Sequence, residues 1–385
     1  MPGDLCYPLE LEPQLSCVAG LARRGDAARA APGNVMPRRA SIHAAVLLTT
    51  ATLIALMIAG CGSQGPSGSH GKAATKPKLA ANPSDPLSTR SFYVDSAAAK
   101  LDAEQLRAAG RPADASAMAR LAAQPTATWL TGERNVRAVV SALTGRASAA
   151  GKSALLVAYD IPGRDCGGYS SGGAPSAAAY RQWITEFASG IGDRAATVIV
   201  EPDAIAQSLT TTCRATATIA ERLSLLRFAV QRLSAQPHTT VYLDAGNPGW
   251  IKPATKLVPS LRAAGISEAT GFALNVANFF TTSSVIAYGE ALSRALGGEH
   301  FVIDTSRNGD GPPPSSGAGP TWCNPPGRAL GPAPTTDTGN RLVDAYLWIK
   351  TPGDSDGTCN QGFPPAGAWM PRYALGLVIN SSLAR

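Results

Sequence analysis

The sequence predicts an α/β protein in which one large domain forms a closed or nearly closed parallel β/α barrel. Three observations lead there. From about Phe92 onward, short β-rich runs alternate with Ala- and Leu-rich stretches of helical period. The order β-α-β-α calls for a parallel sheet, and this many units calls for a barrel. Carboxylates recur at the C-terminal ends of the runs, the rim on which such barrels build their active sites.

The strand candidates, in order, are Phe92–Val94, Thr126–Leu130, Leu155–Tyr159, Thr197–Val200, Thr240–Leu243, Gly271–Leu274, His300–Ile303 and Ala345–Ile349. Helical periodicity falls on Ala98–Ala109, Asn135–Ala149, Ser176–Gly190, Thr216–Ala235, Thr255–Ala264 and Val285–Leu296. A chain of 385 residues with 44% hydrophobic content can fill one sizeable core, so a single main domain is expected. Asp95, Asp160, Glu201 with Asp203, Asp244, Asn275, Asp304 and Lys350 lie at or just beyond the strand ends. For Asp95 and Asp304 an ordinary helix N-cap is the plainer reading, and Asp160 fits a turn cap and stays outside the expected site.

The formal charge of +7 does not point to a nucleic acid once it is followed along the chain. Residues 1–60 contribute +1, from five Arg against Asp4, Glu10, Glu12 and Asp26. Residues 61–91 contribute +3, from Lys72, Lys76, Lys78 and Arg90 against Asp85, which leaves +3 and no basic stripe for the rest.

Near the N-terminus, Met36-Pro37-Arg38-Arg39 and the apolar run Ala44 to Gly60 have the n-region and h-region of an export signal. The run ends Ile58-Ala59-Gly60-Cys61, which resembles a bacterial lipobox, and that resemblance implies cleavage before Cys61 and a lipid on its thiol. An uncut signal anchor is the alternative, although the run is short for a bilayer span. Because a signal opens a chain, Met36 is the expected true start and residues 1–35 a doubtful extension. Residues 61–88, rich in Gly, Ser, Pro, Ala and Lys, read as a flexible tether ahead of a catalytic domain over 89–385. On this reading the body is exported, at the cell envelope or secreted, and touches the membrane through its lipid alone. Cys166, Cys213, Cys323 and Cys359 then remain for an oxidising compartment, where four cysteines allow three pairings.

The rim chemistry is carboxylates and Trp. The four His (43, 70, 238, 300) fall in the signal, the tether and two positions before strands, and no cluster has metal-ligand spacing, so no metal and no cofactor are expected. Carboxylates with Trp at a barrel rim suit glycoside hydrolysis, in which a protonated acid feeds the leaving oxygen while aromatic faces stack on sugar rings. The acid's pKa must then be raised by burial or by a second carboxylate.

Two segments carry a more specific resemblance. Val157–Gly173 (VAYDIPGRDCGGYSSGG) and Val198–Ala206 (VIVEPDAIA) resemble the third-strand loop and the acid motif of glycoside hydrolase family 6, the cellobiohydrolase and endoglucanase group. Further matches follow in order: YLDAGNPGW from Tyr242, LNVANF from Leu274, DTSRNG from Asp304, WCNPPGRALG from Trp322 and WIKTPGDSDGTC from Trp348. The resemblance covers about Phe92 to Asn380 and implies a distorted, partly open, TIM-like barrel of about seven strands. It implies an inverting attack on a β-1,4-glucan by a monomer, with Asp203 as general acid and Asp165 keeping it protonated. Tyr159 would press on the distorted sugar, Arg164 would balance local negative charge, Asp356 holds the candidate base position, and Ser171 would hold the attacking water. Trp129, Trp250 and Trp322 would be stacking platforms, Asp244 would bond sugar or the acid network, and Lys350 with Asp354 would grip hydroxyls. Asn247, Asn275 and Asn278 complete the expected substrate contacts. The same comparison implies the disulfides Cys166–Cys213 and Cys323–Cys359.

Two departures stand out. Asn247 replaces a His frequent in the family after Asp-Ala-Gly, and Thr131 stands where some relatives carry an Asp. In the cellobiohydrolases of the family a long loop after the base position helps roof the site; here only Gly357 and Thr358 separate Asp356 from Cys359, so the resemblance implies an open cleft and internal cutting. Trp183 and Trp348 read as core. Two rival readings remain. Gly168-Tyr169-Ser170-Ser171-Gly172 matches the G-x-S-x-G elbow of serine esterases, yet Ser170 lies far past its strand and His300 falls at the opposite barrel end. A glucan-binding lipoprotein with little turnover is the other, kept open by Asn247.

Overall fold

The computed structural model describes residues 85–210, 218–314, 320–359 and 362–384. The signal, Cys61, the doubtful extension and almost all of the tether, and Cys213 with its expected disulfide, lie outside the described residues.

Seven parallel strands pair strictly in chain order: β1 (Thr128–Leu130), β2 (Ala154–Ala158), β3 (Ala196–Val200), β4 (Thr239–Asp244), β5 (Gly271–Leu274), β6 (His300–Asp304) and β7 (Val343–Leu347). The sheet curls but its edge strands do not pair as a ladder. The gap between β7 and β1 is spanned by the Ala127 N–H donating to the Trp348 carbonyl at 3.0 Å and the Trp129 indole N–H donating to the Ile349 carbonyl at 2.8 Å. The result is the partly open barrel that the sequence predicts.

Period-2 alternation along the strands explains how one sheet serves two cores. Val157, Ile199, Tyr242, Ala273, Val302 and Leu347 fill the barrel interior. The intervening Leu156, Val198, Leu243, Phe272 and Ile303 pack outward with helical Phe187, Leu226 and Leu292. Being covered on both faces, the strands read as continuous apolar runs, which made them visible in the sequence.

Helix starts follow side-chain chemistry. Ser176 caps the helix Ala177–Ile191, Thr218 caps Ile219–Ser234 with Glu221 three residues on, and Thr281 caps Thr282–Leu296, each hydroxyl accepting a backbone N–H of the first turn. These helices are α4, α6 and α8; α1 is Ala97–Ala108, α3 Val136–Ala149 and α7 Val258–Ala263. Three helices were not anticipated: α2 (Pro112–Ala122), α5 (Ala204–Ser208) and α9 (Pro371–Ile379). α2 and α9 begin at a Pro, which is compatible with the first helical position and which reads in sequence as a break.

The first strand candidate does not form. Phe92 makes one parallel bridge to Ser153, and the segment stays at the barrel's edge. β7 begins two residues before the expected run, at Val343, because its pairing with β6 contains a bulge: Phe301 faces Val343, Val302 faces Ala345, and Asp344 is the extra residue. The bulge lets the buried Asp344 carboxylate accept from the Tyr242 hydroxyl at 2.7 Å and meet His300 Nδ1 at 2.6 Å. His300 thus anchors the N-terminal end of the barrel, away from the rim.

The Asp344 hydrogen bond and charge raise the His300 pKa above its ordinary 6.5. A raised folded-state pKa gives stability that is full below about 6.5 and lost as pH rises through the folded value. His300→Gln is therefore expected to cost about 1 kcal/mol at pH 6 and clearly less at pH 9, read from denaturant unfolding at the two pH values.

Candidate active site

The rim encloses a cleft of about 1210 Å³. The β2-to-α4 loop supplies Tyr159, Arg164, Asp165 and Ser171; the β3 end supplies Asp203; the β4 end supplies Asn247 and Trp250. Asn278 comes from beyond β5, Trp322 from the β6-to-β7 connection, Lys350, Asp354 and Asp356 from beyond β7, and Trp129 from β1 itself. Of the residues expected in the site, Asp244 and Asn275 do not line the cleft.

Asp203 sits at the N-terminal end of α5 with a left-handed φ of 72°. Its backbone N–H donates to Asp244 Oδ1 at 3.0 Å, and among the described residues no group donates a hydrogen bond to its carboxyl. Burial, then the Asp244 charge, then the Asp165 charge push its pKa well above the usual carboxylate value. Asp244 lies beneath it, 1% exposed, accepting from the Asp203 and Gly246 N–H groups with its second oxygen unpartnered; burial pushes it up to about 7. Of the two roles expected for Asp244, this placement beneath Asp203 supports membership of the acid network.

Asp165 is placed by a tight turn. Its φ is 55°, and its carboxylate accepts the Ser170 N–H at 2.7 Å and the Gln207 side-chain amide at 3.2 Å. Burial raises its pKa, against the lowering effect of these bonds and of Arg164. Arg164 spends its donors on the loop: on the Tyr159 carbonyl at 2.7 Å, the Ser170 carbonyl at 2.8 Å and the Thr131 carbonyl at 3.1 Å, with its guanidinium 4.9 Å from the Tyr159 ring centre. It carries charge to the acids from a distance and holds the loop's shape directly. The Tyr159 ring meets Trp129 edge-on, with centroids 5.2 Å apart.

Across the cleft the electrostatics reverse. Burial would raise Asp356, but Arg307 and Lys350 outweigh it and hold the carboxyl below the usual range. Arg307 Nη1 donates to Asp356 Oδ2 at 2.8 Å, the Asn324 N–H donates to the same oxygen at 2.9 Å, and Lys350 Nζ lies 3.4 Å from Oδ1. Burial lowers the Lys350 pKa against the pull of Asp356, and burial raises that of neighbouring Asp354. Arg307 is fully buried, with its guanidinium 4.4 Å from the Phe279 ring centre. Arg307 was given no role in the sequence although it stands in the motif DTSRNG; an Arg three residues past the strand-end Asp304 was the available signal.

Other expectations are corrected by burial. Asn275, 0% exposed, donates from Nδ2 to the Asp304 carbonyl at 3.0 Å and accepts the Phe280 N–H at 3.2 Å, so it shapes the 275–280 turn and does not line the cleft. Asp304 caps no helix: its carboxylate accepts the N–H groups of Ala277, Ser306, Ile349 and Lys350. Asp95 also caps no helix; it pairs with Arg146 at 2.8 Å and edges the cleft. Asn247 reaches the cleft while its Oδ1 accepts the Gly249 N–H at 3.0 Å. Cys323 and Cys359 form the expected disulfide, with Cα atoms 6.5 Å apart, and tie the Trp322 loop to the Asp356 loop.

Four aromatic residues on the cleft were missed: Tyr169, Phe279, Phe280 and Trp369. Trp369 donates its indole N–H to Asp102 at 2.6 Å, and Tyr169 lies 6.1 Å from Trp322, ring centre to ring centre. Tyr169 also packs on Gly357, where an added Cβ would come within 2.4 Å, so the acid loop reaches across to the opposite wall. Ser170 has no His partner: no His lines the cleft among the described residues, and His300 is bound to Asp344 at the barrel's other end. Trp183 and Trp348 are core, as expected, at 8% and 0% exposed.

Comparison with known proteins agrees with this site. The family model described as Glycosyl hydrolases family 6 matches residues 87–381. The chain is 43% identical over 269 residues to Endoglucanase A of Thermobispora bispora, covering 68% of this chain and 56% of that protein. It is 42% identical over 299 residues to Endoglucanase A of Cellulomonas fimi, covering 77% of this chain and 62% of that one. The chain thus spans less than two thirds of the length of these two relatives. Among solved structures, the endoglucanase Cel6 from Mycobacterium tuberculosis, in complex with a methyl-cellobiosyl-4-deoxy-4-thio-β-D-cellobioside, matches with a TM-score of 0.70 and 44% identity, covering 77% of this chain and 99% of that one. With its motifs in order, its carboxylates on one rim and the family model matched over nearly the whole described body, the chain belongs to glycosyl hydrolase family 6.

Proposed function

We propose that this protein is an inverting endo-β-1,4-glucanase in which Asp203 is the general acid. The observation that carries the reading is the opposed electrostatics of two carboxyl groups on one cleft: burial, Asp244 and Asp165 push the Asp203 pKa well up, while Arg307 and Lys350 hold that of Asp356 below the usual range. Pairs of acids driven apart in this way divide acid and base work between them. Asp203 protonates the glycosidic oxygen as the bond breaks. Asp165 keeps that proton in place and joins the proton network. Asp356 draws the proton from a water attacking the opposite face of the sugar, with Ser171 holding that water. Trp129, Trp250 and Trp322 stack on sugar rings along the cleft, and Lys350 with Asp354 bonds their hydroxyls. The endoglucanase names of the relatives support internal cutting of a β-1,4-glucan.

The protein acts outside the cytoplasm in this reading. The Cys323–Cys359 disulfide fits an exported protein. The lipobox-like run before Cys61 supports a lipid anchor at the outer face of the membrane, with the following residues as the tether of a monomeric enzyme.

Carboxymethylcellulose should lose viscosity rapidly with few new reducing ends, and Asp203→Asn should abolish the effect by a factor of at least about 10². Proton NMR of the first products should show the α-anomer; a β-anomer would rule out inversion. The pH profile tests the proton assignment. Activity requires Asp203 protonated, so kcat/KM should fall on the alkaline side as the Asp203 and Asp244 pair loses its proton. Asp165→Asn removes a like charge, lowers the Asp203 pKa and should move that limb down by about one pH unit. Growth with a labelled fatty acid should label the protein, and Cys61→Ala should abolish the label.

A further inference from the structure

Glu201 is 1% exposed and does not line the cleft, yet it stands two residues before Asp203. Its two oxygens accept the backbone N–H groups of Asp160 at 3.0 Å and Ile161 at 3.1 Å. These residues begin the loop that follows β2, and the loop closes where the Ala174 N–H donates to the Asp160 carbonyl at 2.7 Å. Arg164, Asp165 and Ser171 hang inside that closed loop, and Tyr159 directly precedes it. One side chain from the end of β3 therefore grips the root of the segment that carries Asp165, while its own backbone leads into Asp203. Glu201 has a left-handed φ of 49° and Asp203 one of 72°, so the Glu-Pro-Asp turn aims one carboxyl at β2 and the other at the cleft.

We propose that Glu201 is a positioning residue that sets the placement of Asp165 relative to Asp203 by clamping the root of the acid loop. It touches no substrate. The groups facing it are Asp160 and Tyr159 from the end of β2, Tyr180 from α4 and Arg222 from α6. Arg222 secures the same loop from the other side, donating to the Gly163 carbonyl at 3.1 Å. The Glu201 carboxylate offers a separate acceptor oxygen to each of two successive N–H donors. An amide of the same size turns a donor towards one of them.

The kinetic part of the test rests on the glucanase reading; the exchange part does not. In the full chain, Glu201→Gln should speed amide exchange over residues 160–171 and leave β5 and β6 unchanged. On carboxymethylcellulose it should lower kcat by about 10- to 100-fold with KM held within about threefold, as expected of a small misplacement of catalytic groups. In an Asp165→Asn background the same substitution should cost less than about threefold, because the group it positions is already gone. Unchanged exchange over 160–171 overturns the proposal, as does an equal loss in both backgrounds, which marks a general effect on folding. If Glu201→Gln does not fold, Glu201→Asp, a carboxylate one methylene shorter, serves for the same comparisons. A wild-type protein that cleaves no glucan defeats the functional reading and leaves the exchange result to decide this one.

Discussion

A strand-end carboxylate accepting backbone N–H groups from the neighbouring strand's exit is the interaction on which the rim depends. Glu201 at the end of β3 holds the exit of β2, and Asp244 at the end of β4 holds the Asp203 N–H at the exit of β3. Asp304 at the end of β6 serves both sides, binding Ala277 beyond β5 and Ile349 with Lys350 beyond β7. A buried backbone N–H without a partner is costly, and the strand ladder stops where the loops begin. Carboxylates fill the need because each oxygen accepts bonds and none must be donated.

This arrangement accounts for the backbone strain gathered at the same end. Asp165, Cys166, Glu201, Asp203, Asn275, Ala277 and Asn324 all have positive φ, and all lie in rim turns. Each costs on the order of 1 kcal/mol for a residue with a side chain. The barrel beneath over-determines these conformations: helices cover the sheet on one side, the interior is filled with apolar side chains, and the strand ends cannot drift apart. Strain concentrated in loops on a rigid support is how a rim places side chains more finely than a free loop could.

The same burial divides the acids into classes. Asp203, Asp244 and Asp165 are taken from water with hydrogen bonds too few to offset the loss, and they gain pKa. Asp356 is buried as well, but beside two cations, and its pKa falls. Burial alone therefore does not decide a carboxylate's state; the sign of the nearest charge does. The Trp residues divide in a similar way. Trp322, 42% exposed, offers a face to the cleft, whereas Trp348, directly after β7, is sealed in the core with its indole N–H on the Pro332 carbonyl.

By itself the sequence determined the barrel, because strands covered on both faces must be apolar throughout and helices between them must carry one apolar stripe. It also determined the rim, since chain order places each strand-end acid on one side of a parallel sheet. Residue type could not say which of those acids meets a ligand. Asp244, Asp304 and Asn275 sit at strand ends like Asp203, and only the packing of neighbouring loops shows their polar atoms turned to backbone N–H and carbonyl groups. Nor could it pair Arg307 with Asp356, which are 49 residues apart and meet because the loops beyond β6 and β7 converge. The first strand candidate, Phe92–Val94, and helices α2 and α9 were misjudged because local propensity is weak: packing leaves Phe92 with a single bridge, and the Pro that opens each helix reads in sequence as a break. Pattern fixes which face a side chain takes; what stands opposite that face is a property of the folded chain.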